Sequence, residues 1–190
     1  MKAIPQEIPD VLLIEPAVFG DDRGFFLESW SGRRYESIGI TAPFVQDNVS
    51  LSRRGILRGL HLQNPHAQGK LVQVLSGSVL DVVVDVRVGS PTYRRSVTVE
   101  LSRENHRQLW VPPGLAHGFL VLSDEALFQY KCTDYYSPAH ELSIRWNDPD
   151  LNLAWQITDP ILSAKDREAP RLKDVPEDRL VPYREVACAG

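Results

Sequence analysis

Arg58 and His61 stand in "RGLHLQ", Lys70 follows nine residues after His61, and His117 stands in "PPGLAHGF". These polar groups are set among apolar, strand-like runs, and Tyr130 comes later in "FQYKCTDYY". A base, a cation and a phenol together are what removal of a proton next to a carbonyl requires. The base takes the C–H proton, the carbonyl oxygen becomes an enolate, and donors or cations must be aimed at that oxygen. A second acid that returns a proton to the opposite face inverts the carbon. Taken singly, each residue has an ordinary structural reading. A lone histidine is more often a satisfied structural group, Tyr130 a strand aromatic with its hydroxyl at a rim, and Lys70 after Gly69 a solvated turn charge. Only the whole set points to an enzyme.

A metal centre is the competing reading of the histidines. Pro112-x-Gly114-x-x-His117 resembles the second motif of the cupin β-barrels. The first cupin motif, Gly-x5-His-x-His-x3–4-Glu, is met by Gly55 and His61, but Gln63 stands at the second histidine and no glutamate falls at Ala67 or Gln68. A metal site wants three or four nitrogen, sulfur or carboxylate ligands on one centre. Convergence of His61, His117 and His66 would be an accident of folding. The resemblance therefore supports a barrel and argues against metal.

The elements that must hold these groups read as β. "VLLIEP" and "RGFFLESW" are strand candidates, and "SGRRYESIG" offers one or two helical turns ended by Gly39. Then come "GILRGLHL", "KLVQVL", "SVLDVVVDVRV", "SVTVEL", "RQLWV", "GFLVL", "LFQYKCTDYY" and "LSIRW". Short runs at about 8–12-residue spacing, separated by Gly, Pro, Ser and Asn, predict a sandwich or barrel. From Val79 to Val88 the even positions are all apolar, while Asp81, Asp85 and Arg87 fall on the other side with Val79 and Val83. The ordinary expectation is that Asp81 and Asp85 face water; the alternative is a polar cavity. After Trp146 the chain turns polar and proline-punctuated. "ILSAKDREAP" carries a helical turn with Ser163 as N-cap and Asp166 three residues on. Residues 147–190 read as a wrap on the β core, so 1–190 is taken as one domain.

Composition excludes several classes. The chain has 190 residues, 43% hydrophobic and 24% charged, with a net charge of −4. That charge speaks against wholesale nucleic-acid binding. No apolar run approaches a membrane span, and "MKAIPQEIPD" has no signal-peptide core. The two cysteines, Cys132 and Cys188, make no disulfide framework. A cytoplasmic protein is expected. No dinucleotide or P-loop glycine pattern is present.

Separated motifs then occur in a particular order: "GDDRGFFLES", "FVQDNVS", "GILRGLHLQ", "QGKLVQV", "VPPGLAHGF", "YKCTDYY", His140–Glu141, "WNDP" and "LSAKD". In this the chain resembles the dTDP-4-dehydrorhamnose 3,5-epimerase family of cupin-like sugar-nucleotide epimerases. The resemblance implies an all-β, jelly-roll cupin fold and a cofactor-independent isomerase. His61 would be the base, Asp166 its orienting partner, Tyr130 the acid from the other face, and Lys70 the support of the enolate oxygen. Arg23, Glu28, Gln46, Asp47, Asn48, Arg58, His117, Glu141 and Lys165 match positions that contact the nucleotide sugar, arginine and lysine suiting a pyrophosphate. Tyr136 matches the aromatic that stacks on thymine; if it and Tyr135 are strand neighbours, only one can do so. Leu62 and Leu115 stand where the family often has tyrosine and phenylalanine, which implies an adjusted pocket. The resemblance also implies no metal, a dTDP-sugar substrate and a homodimer paired through N-terminal strands. The alternatives are a mono-epimerase of C3 or C5, or a non-catalytic nucleotide-sugar-binding cupin.

Overall fold

Two antiparallel sheets face each other in the computed structural model, which describes residues 1–184. The strands are β1 (Lys2–Pro5), β2 (Leu12–Glu15), β3 (Val18–Asp21), β4 (Gly24–Leu27), β5 (Gln46–Arg53), β6 (Leu57–Gln63) and β7 (Lys70–Ser76). They continue as β8 (Ser78–Val84), β9 (Ser96–Ser102), β10 (Gln108–Val111), β11 (Ala116–Val121), β12 (Glu125–Cys132) and β13 (Glu141–Ser143), with helices α1 (Gly32–Glu36) and α2 (Ala164–Arg167). One sheet has the order β1-β2-β10-β7-β12-β5, the other β13-β6-β11-β8-β9, and β3-β4 is a separate hairpin. This is the expected cupin-like jelly roll, with one correction: the sheets are not closed into a continuous barrel. Among the described residues no ladder joins them, so β5 and β1 remain edges of one sheet and β13 and β9 of the other.

Side-chain alternation divides the interior into layers. Val72, Val74 and Phe128 of the six-stranded sheet meet Val79, Val83, Phe119 and Val121 of the other. On the outer face of the five-stranded sheet, Leu60, Leu62, Leu80, Val82 and Val84 are covered by Leu151, Trp155, Leu172 and Val175. On the outer face of the six-stranded sheet, Tyr35 and Ile40 of the α1 segment cover Ile14, Leu71 and Trp110.

These layers correct the reading of the Val79–Val88 stretch. Both faces of β8 are buried: the mixed side with Asp81, expected to meet water, faces the other sheet beside Val79 and Val83, and the chain after Trp146 covers the wholly apolar side. Asp81 and Asp85 are both wholly buried. Asp85 accepts from Arg87, Ser90 and Thr92, and Asp81 pairs with His117. Burial of a carboxylate is tolerable only with such partners. The strands β1, β3 and β5 lie in segments where apolar alternation is weak, and composition did not pick them out. Cys132 is a buried free thiol; Cys188 lies outside the described residues. Among the described residues no helix is long and apolar enough to cross a membrane.

Candidate active site

β6 and β11 come unusually close where the site forms. A Cβ added at Gly118 would lie 2.7 Å from the Arg58 carbonyl oxygen, and one at Gly59 would lie 2.6 Å from Gly118 Cα. Gly59 also has φ +128°, a backbone that side chains avoid. Glycine at both positions lets the strands pack, and it sets His61 directly opposite His117 in the ladder. On the other edge of β6, Ser143 of β13 is the partner of His61.

α2 reaches this place through local hydrogen bonds. Ile161 N–H donates to the Gly55 carbonyl (2.8 Å) and Leu57 N–H to the Ile161 carbonyl (3.1 Å), tying the segment before α2 to the start of β6. Ser163 caps α2 as expected, accepting from the Asp166 N–H at 3.1 Å. Asp166 then meets the ring of His61, Nε2 to Oδ1 2.5 Å, with 3% of its side chain exposed. Burial alone would raise the Asp166 carboxyl. Its hydrogen bond and charge interaction with His61, the Ser163 cap and Lys165 outweigh that and hold it below the usual carboxylate range.

A cavity of about 260 Å³ between the sheets is lined by Asn48, Ser50, Arg58, His61, Lys70, His117, Phe119, Phe128 and Tyr130. Phe119 and Phe128 stack at 4.2 Å as its apolar floor. Lys70 is no solvated turn charge: burial pulls its ammonium below the ordinary lysine range, against the fields of Cys132, Glu141 and Asp81. Tyr130, on the sheet facing His61, is pushed above the usual phenol range, first by burial and then by Cys132 and Glu141.

The rim is one hydrogen-bonded chain. Lys165 donates to Glu141 (2.7 Å), the Tyr136 hydroxyl donates to the other Glu141 oxygen (2.9 Å), and the Tyr136 N–H donates to Gln46 (2.9 Å). Gln46 in turn donates to Asn48 (3.0 Å). The tyrosines are not strand neighbours, since β12 ends at Cys132. Gln63, at the second cupin-histidine position, is buried. Its amide donates to the Tyr135 carbonyl (2.9 Å) and accepts from the Ser137 N–H (2.8 Å), pinning the tyrosine loop. His66 faces Asp134 at the exposed surface instead of joining His61 and His117.

Three expected contacts lie elsewhere. Asp47 points to the outer face of β5 and pairs with Lys131 at 2.8 Å. Arg23, bound to Asp21, is on the β3-β4 hairpin, and Glu28 pairs with Arg34 beyond it. Leu62 and Leu115 pack in the cores and do not line the cavity, so the pocket is not adjusted through them. Sequence reasoning left out Asp81, whose two oxygens each lie 3.0 Å from His117 Nε2. It also left out Ser50, whose buried hydroxyl has no hydrogen-bond partner among the described residues. Placement of Asp81 on the mixed side of β8 was the one available signal.

The model of the dTDP-4-dehydrorhamnose 3,5-epimerase family matches residues 5–174. The chain belongs to this family. It is an epimerase of the nucleotide-sugar class. A dTDP-4-dehydrorhamnose 3,5-epimerase from Pseudomonas aeruginosa is 55% identical over 176 residues, covering 92% of this chain and 97% of the relative. The crystal structure of the Legionella pneumophila 3,5-epimerase RmlC in complex with dTDP-4-keto-L-rhamnose is 51% identical, with a TM-score of 0.94 over 96% of this chain and 98% of that one. The 3′-monoepimerase ChmJ of Streptomyces bikiniensis, in complex with dTDP-quinovose, is 38% identical, with a TM-score of 0.84 over 89% of this chain and 87% of that one.

Proposed function

We propose that this epimerase inverts C3 and C5 of dTDP-4-dehydro-6-deoxy-D-glucose to give dTDP-4-dehydro-L-rhamnose, without a cofactor. The observation that carries the mechanism is the 2.5 Å contact of His61 Nε2 with buried Asp166, on the wall of a cavity whose opposite wall holds Tyr130. Asp166 engages Nε2, so Nδ1 of His61 takes the proton α to the 4-keto group. Lys70 meets the enolate oxygen. Its unusual readiness to lose a proton reflects a cation held in the cavity with no anion bonded to it among the described residues. Tyr130 returns a proton to the opposite face. Asn48, Arg58 and His117 contact the sugar diphosphate from the cavity wall; Gln46, Tyr136, Glu141 and Lys165 receive the nucleotide at the rim.

Arg23 and Glu28 are outside this cavity, so their part requires a second protomer whose hairpin reaches the nucleotide. A homodimer fits the exposed apolar side chains, which a lone protomer would leave in water. Phe26 on the hairpin is 70% exposed, and Val49 and Leu51 on the free edge strand are 59% and 60% exposed. The 38% identity to a 3′-monoepimerase supports the second reading, inversion at one carbon only.

Deuterium oxide separates the readings. Double inversion labels the product at both C3 and C5; a mono-epimerase leaves one stereocentre unchanged. His61→Ala is expected to stop exchange at both carbons. Tyr130→Phe is expected to impair inversion by about 10²–10⁴-fold while exchange continues, because His61 can return the proton to the face it came from. Wild-type exchange in His61→Ala would pass the base role to another residue. Full turnover after exhaustive chelation is expected; loss of activity restored by zinc, iron or manganese would refute the cofactor-free mechanism.

A further inference from the structure

The β3–β4 hairpin stands off the body of the protomer. Among the described residues it joins neither sheet, and every residue of its two strands except Leu27 is exposed. Its use at a partner's nucleotide therefore depends on how firmly its root is held. An arm free to swing meets the site only a fraction of the time, and binding weakens by that fraction.

Gln108 of β10 grips both ends of the root. Ahead of the hairpin, β2 pairs with β10, with Ile14 opposite Gln108. Behind the hairpin, the Gln108 amide donates to the Ser29 carbonyl at 2.7 Å. It donates also to Gln73 on β7 (2.8 Å), and its oxygen accepts from the Tyr35 hydroxyl (2.5 Å). Gln73 in turn donates to Gln129 of β12 (2.7 Å). Gln108 and Tyr35 are each 1% exposed. A buried amide with every hydrogen bond made holds its partners rigidly. Burial, against the Gln108 hydrogen bond, pushes the Tyr35 phenol up to about 12, so it stays a donor at neutral pH.

The residue after Ser29 is clamped as well. The Trp30 ring meets Phe44 at 5.9 Å, Phe44 meets Trp110 at 6.0 Å, and the Lys131 ammonium lies 5.4 Å from the Trp30 ring. A cation over an indole face is attracted to it, and Asp47 holds this one in place at 2.8 Å. Asp47 thus serves the root of the arm, while its neighbours Gln46 and Asn48 serve the rim and cavity.

We propose that Gln108, with Tyr35 and the Lys131–Asp47 pair, positions the arm that each protomer extends to its partner's nucleotide. These are positioning residues, acting through Arg23 and Glu28. The inference rests on the shared-site reading above and holds whether one carbon or two is inverted.

Full chains carrying two different tags, co-expressed and purified through both, give hybrid dimers with one live site for steady-state kinetics. In the first hybrid one protomer carries Gln108→Leu and the other His61→Ala. The live site lies in the Gln108→Leu chain and meets an intact arm, so KM is expected within about twofold of wild type. In the second, one protomer carries both substitutions and the other is wild type, so the live site meets the loosened arm. There KM is expected to rise about tenfold with kcat per live site unchanged, since the arm holds the nucleotide alike in ground and transition states. A merely structural loss would show the reverse, following the substituted chain. Lys131→Ala, at the outer face, is expected to give the same pattern at about threefold and carries the test if Gln108→Leu does not fold. Arg23→Ala in the same two hybrids reports the shared site alone. If Arg23→Ala acts across the dimer while the root substitutions act within their own chain, or leave both hybrids alike, the anchor is overturned and the shared site stands. If Arg23→Ala acts within its own chain, both fall.

Discussion

Three titratable groups of the cavity carry opposite shifts, and each has a consequence in pH. Lys70 loses its proton below the ordinary lysine range and Tyr130 above the ordinary phenol range. As pH rises, loss of the ammonium proton is thus brought forward and loss of the phenol proton delayed. The alkaline limb of kcat is expected to belong to Lys70, and Lys70→Arg, whose guanidinium stays charged, should move that limb upward whatever it does to the maximum rate. An unmoved limb would dissociate Lys70 from the enolate. Asp166 is held below the ordinary carboxylate range. A carboxyl depressed in the folded state adds stability above its unfolded pKa, about 3.9, and that stability is lost as pH falls through the folded value. Thermal midpoints of wild type and Asp166→Asn are thus expected to differ at neutral pH and to converge below about pH 4. A gap unchanged in acid would show that the His61–Asp166 bond does not depend on the carboxylate charge.

At the scale of elements, two junctions place His61. The first is the close approach of β6 and β11. Gly118→Ala puts a methyl 2.7 Å from the Arg58 carbonyl oxygen, and the strands must part to admit it. Overpacking of this kind costs about 1–3 kcal/mol, and parting the strands displaces His61 from His117. Urea titration together with kcat should show both losses; a variant as stable and active as wild type would mean that the ladder yields freely here. The second junction is the α2 cap. Ser163→Ala removes the acceptor of the Asp166 N–H and is expected to cost about 1 kcal/mol. The α2 turn is legible in "LSAKD" because a cap residue followed by a carboxylate is a local pattern. Its docking against β6 is not, because that depends on backbone bonds between Gly55, Leu57 and Ile161, far apart in the chain.

For the whole molecule, the exposed apolar surface on β5 and the hairpin predicts association. Light scattering at micromolar concentration is expected to give a dimer. Val49→Glu with Leu51→Glu should shift the balance to monomer and raise KM, since Arg23 and Glu28 would no longer reach a nucleotide. A wild-type monomer would refute the shared site.

Read from the sequence alone, apolar period and glycine and proline punctuation determined the fold class, and the order of the motifs, through the family they resemble, picked out His61, Tyr130 and most of the rim residues that the fold gathers, because those features reside in local pattern. Tertiary structure decided which faces meet. Asp81 reads as a solvent-facing carboxylate by alternation, and it is buried because its side of β8, shared with Val79 and Val83, is covered by the facing sheet. Asp47, Arg23 and Glu28 have the right types, yet strand alternation and an isolated hairpin carry them away from the cavity of their own chain. Gln63 stands where a metal ligand would, and only the folded loop shows its amide spent on the backbone of the tyrosine segment. Burial and partnership depend on segments remote in sequence, and no local pattern encodes them.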